Sequence, residues 1–186
     1  MTTTWLITGC ASGIGRSTAL LALERGANVV ATARSAERLL SLKKHYEGRI
    51  VLVDLDVINE HAARAAVEVA VEKFGRLDVL VNSAGYSHLG PFEQKSPAAF
   101  RAEVETNFFG VVNLVRAALP IMRRQRSGYI INISSSSARF GGPGEARCPN
   151  CCPNMKRPSA PSCSGPRDCR ATSPGIQTKS PGSFST

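Results

Sequence analysis

Eight residues, Thr8-Gly9-Cys10-Ala11-Ser12-Gly13-Ile14-Gly15, constrain this chain more than any others. An apolar run, Thr4-Trp5-Leu6-Ile7, precedes them, and a helical pattern from Arg16 to Arg25 follows. A strand, a glycine-rich turn and a helix in direct succession form the context in which glycines can cradle phosphate. Gly9 lets the chain turn off the strand, Gly13 leaves bare backbone for a pyrophosphate, and Gly15 lets helix and strand pack closely. The helix adds its first N–H groups and about half a positive charge. The spacing is Gly-x3-Gly-x-Gly rather than the Gly-x-Gly-x2-Gly of ordinary dinucleotide folds. A plain turn between two elements is the alternative use of these residues.

The rest of the chain up to about Gly144 repeats the same alternation. Gly26 suits a left-handed helix end, and residues 27–33 read as a buried strand. Ser35 is the expected N-cap of a helix running to about His45. Residues 49–54 form a third strand. Asn59 caps a helix with apolar Ala63, Val67, Ala70, Val71 and Phe74 at helical spacing, ended by Gly75. Residues 78–82 make a fourth strand. Ser96-Pro97 starts a helix that runs past Asn107 to about Arg126, interrupted near Pro120 and closed by Gly128. Residues 129–134 make a fifth strand. Alternating strands and helices predict a parallel, doubly wound α/β sheet with right-handed crossovers, ending at the fifth strand. Ligands of such sheets bind at the C-terminal ends of the strands.

Charge separates the chain into two parts. Residues 1–144 carry 17 basic and 12 acidic groups, and residues 145–186 carry 6 and 2. The first set lies scattered on helix faces. The one dense patch, Arg123-Arg124-Gln125-Arg126, suits a helix C-terminus. Charge therefore does not argue for nucleic acid. No apolar run approaches the roughly 20 residues of a membrane span, and the start lacks the marks of a signal peptide. The expectation is a cytoplasmic chain with six reduced cysteines.

By its motifs, the stretch from residue 4 to about 144 resembles the short-chain dehydrogenase/reductase family. Thr8 to Gly15 resembles the family's Thr-Gly-x3-Gly-x-Gly cofactor loop, with Thr8, Gly9, Ser12, Gly13, Ile14 and Gly15 as cofactor contacts. Asp56-Val57 resembles its adenine-contacting Asp-Val; a strand-end turn is the other role open to Asp56. Asn82-Ser83-Ala84-Gly85 resembles its Asn-Asn-Ala-Gly, implying that Asn82, Ala84 and Gly85 pass close to the adenosine ribose. Asn107 matches the helix asparagine of the catalytic tetrad, where its backbone carbonyl would hold a relay water. Ser135, in Ile133-Ser134-Ser135, matches the serine that hydrogen-bonds the substrate carbonyl. NAD-preferring folds place an acid after the second strand; here Ala33-Arg34 stands there, and Arg34 suits the 2′-phosphate of NADP. A solvated helix-start arginine is the alternative. The resemblance implies NADP, a small carbonyl or alcohol substrate, no metal, no nucleic acid and no membrane. It also implies a homo-oligomer whose usual interface helix is missing.

One half of that chemistry is not in the sequence. The family's Tyr-x3-Lys pair should follow Ser135 by about a dozen residues, yet the three tyrosines are Tyr46, Tyr86 and Tyr129. Cys148 and Cys152 occupy the two slots. Residues 145–186 hold five of the six cysteines and seven of the eleven prolines, and their only large apolar residues are Met155, Ile176 and Phe184. Such a tail is expected to be irregular, since it cannot bury enough surface to offset its ordering entropy. A frameshift or mis-spliced exon after Gly144 accounts for both changes. A thiolate zinc site in the tail is the rival reading, without the paired Cys-x2-Cys knuckles that zinc usually uses. Two functions stay open: an NADP-dependent oxidoreductase, and a non-catalytic remnant that binds nucleotide or serves only as an interaction module.

Overall fold

The structure is a computed structural model of the chain, describing residues 2–88 and 92–135. The expectations for residues 145–186, including the irregular tail, the cysteine slots and the zinc alternative, lie outside the described residues. Of the described residues, 2–88 and 95–135 form the body. Phe92–Gln94 belongs to a second unit and is a single 3-10 turn.

Five strands form one parallel sheet: β1 (Thr4–Ile7), β2 (Asn28–Ala33), β3 (Ile50–Asp54), β4 (Val79–Asn82) and β5 (Tyr129–Asn132). Their order is β3-β2-β1-β4-β5. Register is set by side-chain parity, because a slip of one residue would turn each apolar row to the wrong face. Leu6 pairs with Val30 and Leu80, and Ile7 with Ala31 and Val81. The doubly wound expectation is met: the chain steps outward from β1 to β3, then crosses back to β4.

Each face has its own core. On one, Ile7, Val29, Ala31, Val79 and Val81 pack with Ala19 and Leu23 of α1 (Gly13–Glu24), and with Leu39 and Leu42. On the other, Leu6, Val30 and Leu80 meet two helices. Ala63, Ala66, Val67 and Ala70 come from α3 (Glu60–Phe74); Leu114, Ala118 and Met122 come from α5 (Gly110–Gln125). The small residues of α3 let it lie close against the strands.

Several helix ends follow the sequence. Gly26 is left-handed (φ 84°), and the Gly26 and Ala27 N–H groups donate to Leu23 and Ala22 carbonyls in a Schellman arrangement. The Asn59 side chain accepts from Ala62 N–H at 3.0 Å, and Ser96 caps α4 (Pro97–Val104) through Ala99 N–H.

Others differ. Helix α1 starts at Gly13, three residues before the apolar pattern begins, because its first turn is the glycine loop itself. Ser35 makes no capping bond; Asp54 Oδ1 accepts the Ala36 N–H at 2.7 Å instead. The segment after it is a 3-10 turn, Ala36–Leu39, followed by the short α2 (Leu40–Lys43). Pro120 does not interrupt α5. It is exposed, so the carbonyl that loses its helical partner faces water. The interruption comes earlier, as a π turn over Glu105–Phe109. Arg126 (φ 56°), not Gly128, takes the left-handed position that ends α5.

Candidate active site

The C-terminal ends of β1 and β4 lie side by side, and their chains leave in opposite directions, which opens a crevice at the strand ends. Two loops line it: Thr8–Ser12 after β1 and Ser83–His88 after β4.

Thr8 joins the loops. It is 1% exposed; its N–H donates to the Val81 carbonyl at 2.9 Å, and its Oγ1 accepts the N–H groups of Ser83 (2.9 Å) and Ala84 (3.0 Å). The hydroxyl proton points to the Val81 carbonyl at 3.4 Å. One donor and two lone pairs are all in use, so Thr8 acts as a clamp beneath the crevice.

The glycines divide by what surrounds them. Gly9 (φ 71°) is pressed against the second loop: a Cβ there would stand 2.9 Å from the Ser83 carbonyl oxygen. A Cβ on Gly15 would stand 2.6 Å from the Gly9 carbonyl oxygen, so this residue seats the helix on the strand end. Gly13 (φ 59°) is different, with nothing within 4 Å of its Cβ position. Its absent side chain faces open space at the helix N-terminus. Ser12 and Ile14 are exposed beside it, and the Ser12 side chain makes no capping bond.

Cys10 lies inside the loop, its N–H donating to the Thr32 carbonyl at 2.9 Å and its Sγ to the Ile7 carbonyl. Burial pushes its thiol up to about 12, against smaller opposing effects of the Thr32 backbone and Arg16. The thiolate needed of a nucleophile is therefore absent at neutral pH.

Arg34 is exposed, one residue beyond β2. Asp56, also exposed, accepts the Ile58 N–H at 3.3 Å, and its carbonyl accepts the Asn59 N–H. This is the turn geometry open to it from sequence. Asn82 is buried between strands, its Nδ2 donating to Asn132 Oδ1 at 2.8 Å, so it ties β4 to β5. Ala84 and Gly85 continue the loop toward the surface.

Asn107 sits in the π turn, a local irregularity frequent at functional sites. Its side chain accepts the Tyr86 N–H (3.0 Å) and donates to the Tyr86 carbonyl (2.7 Å). Gly85 leaves it room, since a Cβ there would meet Asn107 Oδ1 at 3.0 Å. The asparagine thus holds the loop after β4 in place. Ser135 lies exposed past β5, and the Ile133 N–H to Asn82 carbonyl bond (2.9 Å) carries this end beside β4.

Some site-building residues carried no sequence signal. Asp54 reads as an ordinary strand residue, yet it shapes the turn after Arg34. Arg16 reads as one more helix cation, yet its Nη2 donates to Ser41 Oγ at 3.0 Å across the gap between α1 and α2.

A family model described as short chain dehydrogenase matches residues 3–147. The chain is 43% identical over 145 residues to oxidoreductase BOA17 of Botryotinia fuckeliana, covering 77% of this chain and 53% of that protein. It is 41% identical over 143 residues to the 3-oxoacyl-(acyl-carrier-protein) reductase FabG of Thermotoga maritima, covering 75% and 58%. Among solved structures, a short-chain dehydrogenase from Streptomyces avermitilis superposes with a TM-score of 0.74 and 37% identity, over 77% of this chain and 53% of that one. ElxO with NADP bound superposes with a TM-score of 0.73 and 35% identity, over 78% and 60%. The chain spans little more than half the length of the curated relatives it matches.

Proposed function

The chain belongs to the short-chain dehydrogenase family of oxidoreductases, and on that premise we propose that its crevice holds NADP(H), the parent reaction being hydride transfer to a carbonyl or from an alcohol. The observation that carries this reading is Gly13. It opens onto free space at a helix N-terminus, between an uncapped serine and an exposed isoleucine. That is the cradle a pyrophosphate fits: bare backbone, unspent N–H donors and the positive end of a helix. Gly9 and Gly15 serve the cradle by close packing, and Thr8 holds it against the loop after β4. In this reading the exposed Asp56 carboxylate accepts from the adenine amino group, and Ala84 and Gly85 pass the ribose. Asn82 keeps that loop at its height above the sheet.

Arg34 supplies the NADP preference. A guanidinium at the end of β2 is suited to a 2′-phosphate, where an acid would repel it. The likeness to a protein with NADP bound supports the same choice.

The bound nicotinamide would supply the hydride; the chain's own task is to orient and protonate the carbonyl. Ser135 has a hydroxyl that donates to a carbonyl oxygen and steadies its growing charge. Asn107 holds the Tyr86 segment of the loop after β4. A serine hydroxyl at its ordinary pKa is a poor acid, and the Tyr-x3-Lys pair is missing from the sequence. The reading that follows is a nucleotide-binding chain with carbonyl reduction near background.

Titration of the purified chain with NADPH and NADH tests this reading. Gly13→Asp is expected to abolish NADPH affinity, since the new carboxylate meets the pyrophosphate; its left-handed backbone (φ 59°) adds strain, so a thermal melt is run alongside to show that the variant is folded. Arg34→Ala is expected to weaken NADPH more than NADH. Unchanged binding by Gly13→Asp removes the glycine loop from the site, and equal losses for both nucleotides remove the NADP preference.

A further inference from the structure

We infer that Asn113 is a positioning residue for the nucleotide, fixing the loop after β3 so that the Asp56 carboxylate meets the adenine, an inference that rests on the adenine reading of Asp56 above.

The loop runs from the end of β3 at Asp54 to the start of α3 at Glu60. Leu55 and Val57 are buried on either side of the exposed Asp56. Those two side chains hold the loop down, but they leave its peptide groups to find partners outside a strand ladder. Asn113, in the first turn of α5, supplies the donor. Its Nδ2 donates to the Val57 carbonyl at 3.1 Å and to the Ile58 carbonyl at 3.3 Å. A side-chain amide carries two N–H hydrogens, and both go to this one loop. Gly110, on the same face of the helix, permits the approach, because a Cβ there would stand 2.5 Å from Val57 Cγ2.

The peptide between Val57 and Ile58 carries the constraint to the carboxylate. Its carbonyl accepts from Asn113, and its N–H donates to Asp56 Oδ1 at 3.3 Å. The unit is planar, so the α5 amide on one side and the carboxylate on the other are fixed together. An aspartate on an unbraced loop would be ordered only when the ligand arrives, and binding would bear that cost. Asn107 braces the loop after β4 in the same manner, through its two bonds to Tyr86. One continuous helical run, from the π turn into α5, therefore holds both loops.

The full chain is titrated by calorimetry with NADPH and with its hypoxanthine analogue, which has a carbonyl oxygen in place of the adenine amino group. The parent is expected to prefer NADPH, and Asp56→Ala to lose that preference. Asn113→Leu removes the donors at similar volume. It is expected to weaken NADPH about fivefold, the worth of one hydrogen bond, and to leave the analogue within about twofold. The double variant Asp56→Ala/Asn113→Leu is expected to bind NADPH no more weakly than Asp56→Ala, since both act through one contact. Asn113→Asp, polar like the parent but without a donor, carries the same test if Asn113→Leu does not melt cooperatively. If the Asn113 variants weaken both nucleotides alike, or the losses add in the double variant, Asn113 only braces α5 and the inference falls. If Asp56→Ala removes the preference and the Asn113 variants keep it, the inference alone fails. A parent without the preference, or Asp56→Ala with it intact, overturns the adenine reading of Asp56 and the inference together.

Discussion

Strands β4 and β5 are neighbours in register, yet they meet opposite environments. Val79 pairs with Tyr129 and Val81 with Ile131, so each pair projects from the same face of the sheet. The valines are 7% and 1% exposed; Tyr129 and Ile131 are 74% and 41% exposed. All four residues suit a buried strand by type. The difference is the cover. Val79 and Val81 belong to the core that packs with α1, whereas among the described residues no helix packs over β5 on that face. The crevice is correspondingly uneven: its wall of β1, β2 and β4 is built on two cores, and the wall carrying Ser135 stands on the outermost strand among the described residues. Among the described residues, the nucleotide half of the crevice rests on packed helices on both faces, and the end of β5 next to Ser135 does not.

The most severe way to break this contrast is to supply the cover. Replacing the chain after Gly144 with a family segment that places Tyr-x3-Lys thirteen residues after Ser135 is expected to raise carbonyl reduction by about 10² to 10⁴-fold, the usual worth of an acid catalyst. NADPH consumption with a carbonyl panel measures it. Robust turnover by the chain as it stands, lost on Ser135→Ala, would show instead that the proton comes from elsewhere.

The contrast is also measurable in stability. Leu80→Ala, in the β4 core, is expected to cost about 2–5 kcal/mol. Ile131→Ala, on the uncovered face, is expected to cost less than about 1 kcal/mol, because that side chain leaves little apolar contact behind. Urea unfolding of the two variants compares them; equal costs would mean that β5 is covered in solution.

Thr8→Val sharpens the view of the crevice floor. It keeps the shape and deprives the Ser83 and Ala84 N–H groups of their acceptor, at an expected cost of about 1–3 kcal/mol. Nucleotide affinity should drop with it, since the loops separate; full affinity with intact stability would deny the clamp.

The smallest effect concerns the start of α4. The Lys95 ammonium donates to Glu103 and lowers its carboxyl pKa below the ordinary 4.5, with a lesser contribution from His88. A pKa lowered in the folded state adds stability above the unfolded value, and that stability is lost as pH falls through the folded one. Thermal melts from pH 7 to pH 3 should show Glu103→Gln less acid-sensitive than the parent, by under about 1 kcal/mol. An identical acid profile would leave the pair without a role in stability.

Wherever a feature is local, it was legible in the residues. The strand-loop-helix at Thr8–Gly15, the left-handed Gly26 and Gly75, and the caps at Asn59 and Ser96 each depend on a few neighbours along the chain. Alternation of elements was enough for the parallel doubly wound sheet. Features closed by distant partners were not legible. Ser35 looks like a cap, yet its side chain makes no capping bond, and Asp54, on the paired strand, accepts the neighbouring Ala36 N–H. Pro120 looks like a break until α5 carries it on its wet side. Arg126 takes a left-handed turn because the chain must leave α5 for β5 there, at a cost of about 1–2 kcal/mol that glycine would avoid.

The same division runs through the site. Sequence alone determined which residues reach the strand ends, because parity and spacing dictate where each loop begins; it also determined that no tyrosine follows Ser135. Only the tertiary structure decided what those residues do there. Thr8 and Asn82, which by motif belong with the ligand, are buried; the Thr8 hydroxyl binds loop to loop, and the Asn82 Nδ2 binds strand to strand. Arg16, which no motif singled out, donates to Ser41 across the gap between α1 and α2. A side chain's hydrogen-bonding capacity is a property of its type, but which partner uses it depends on what folding brings within about 3 Å.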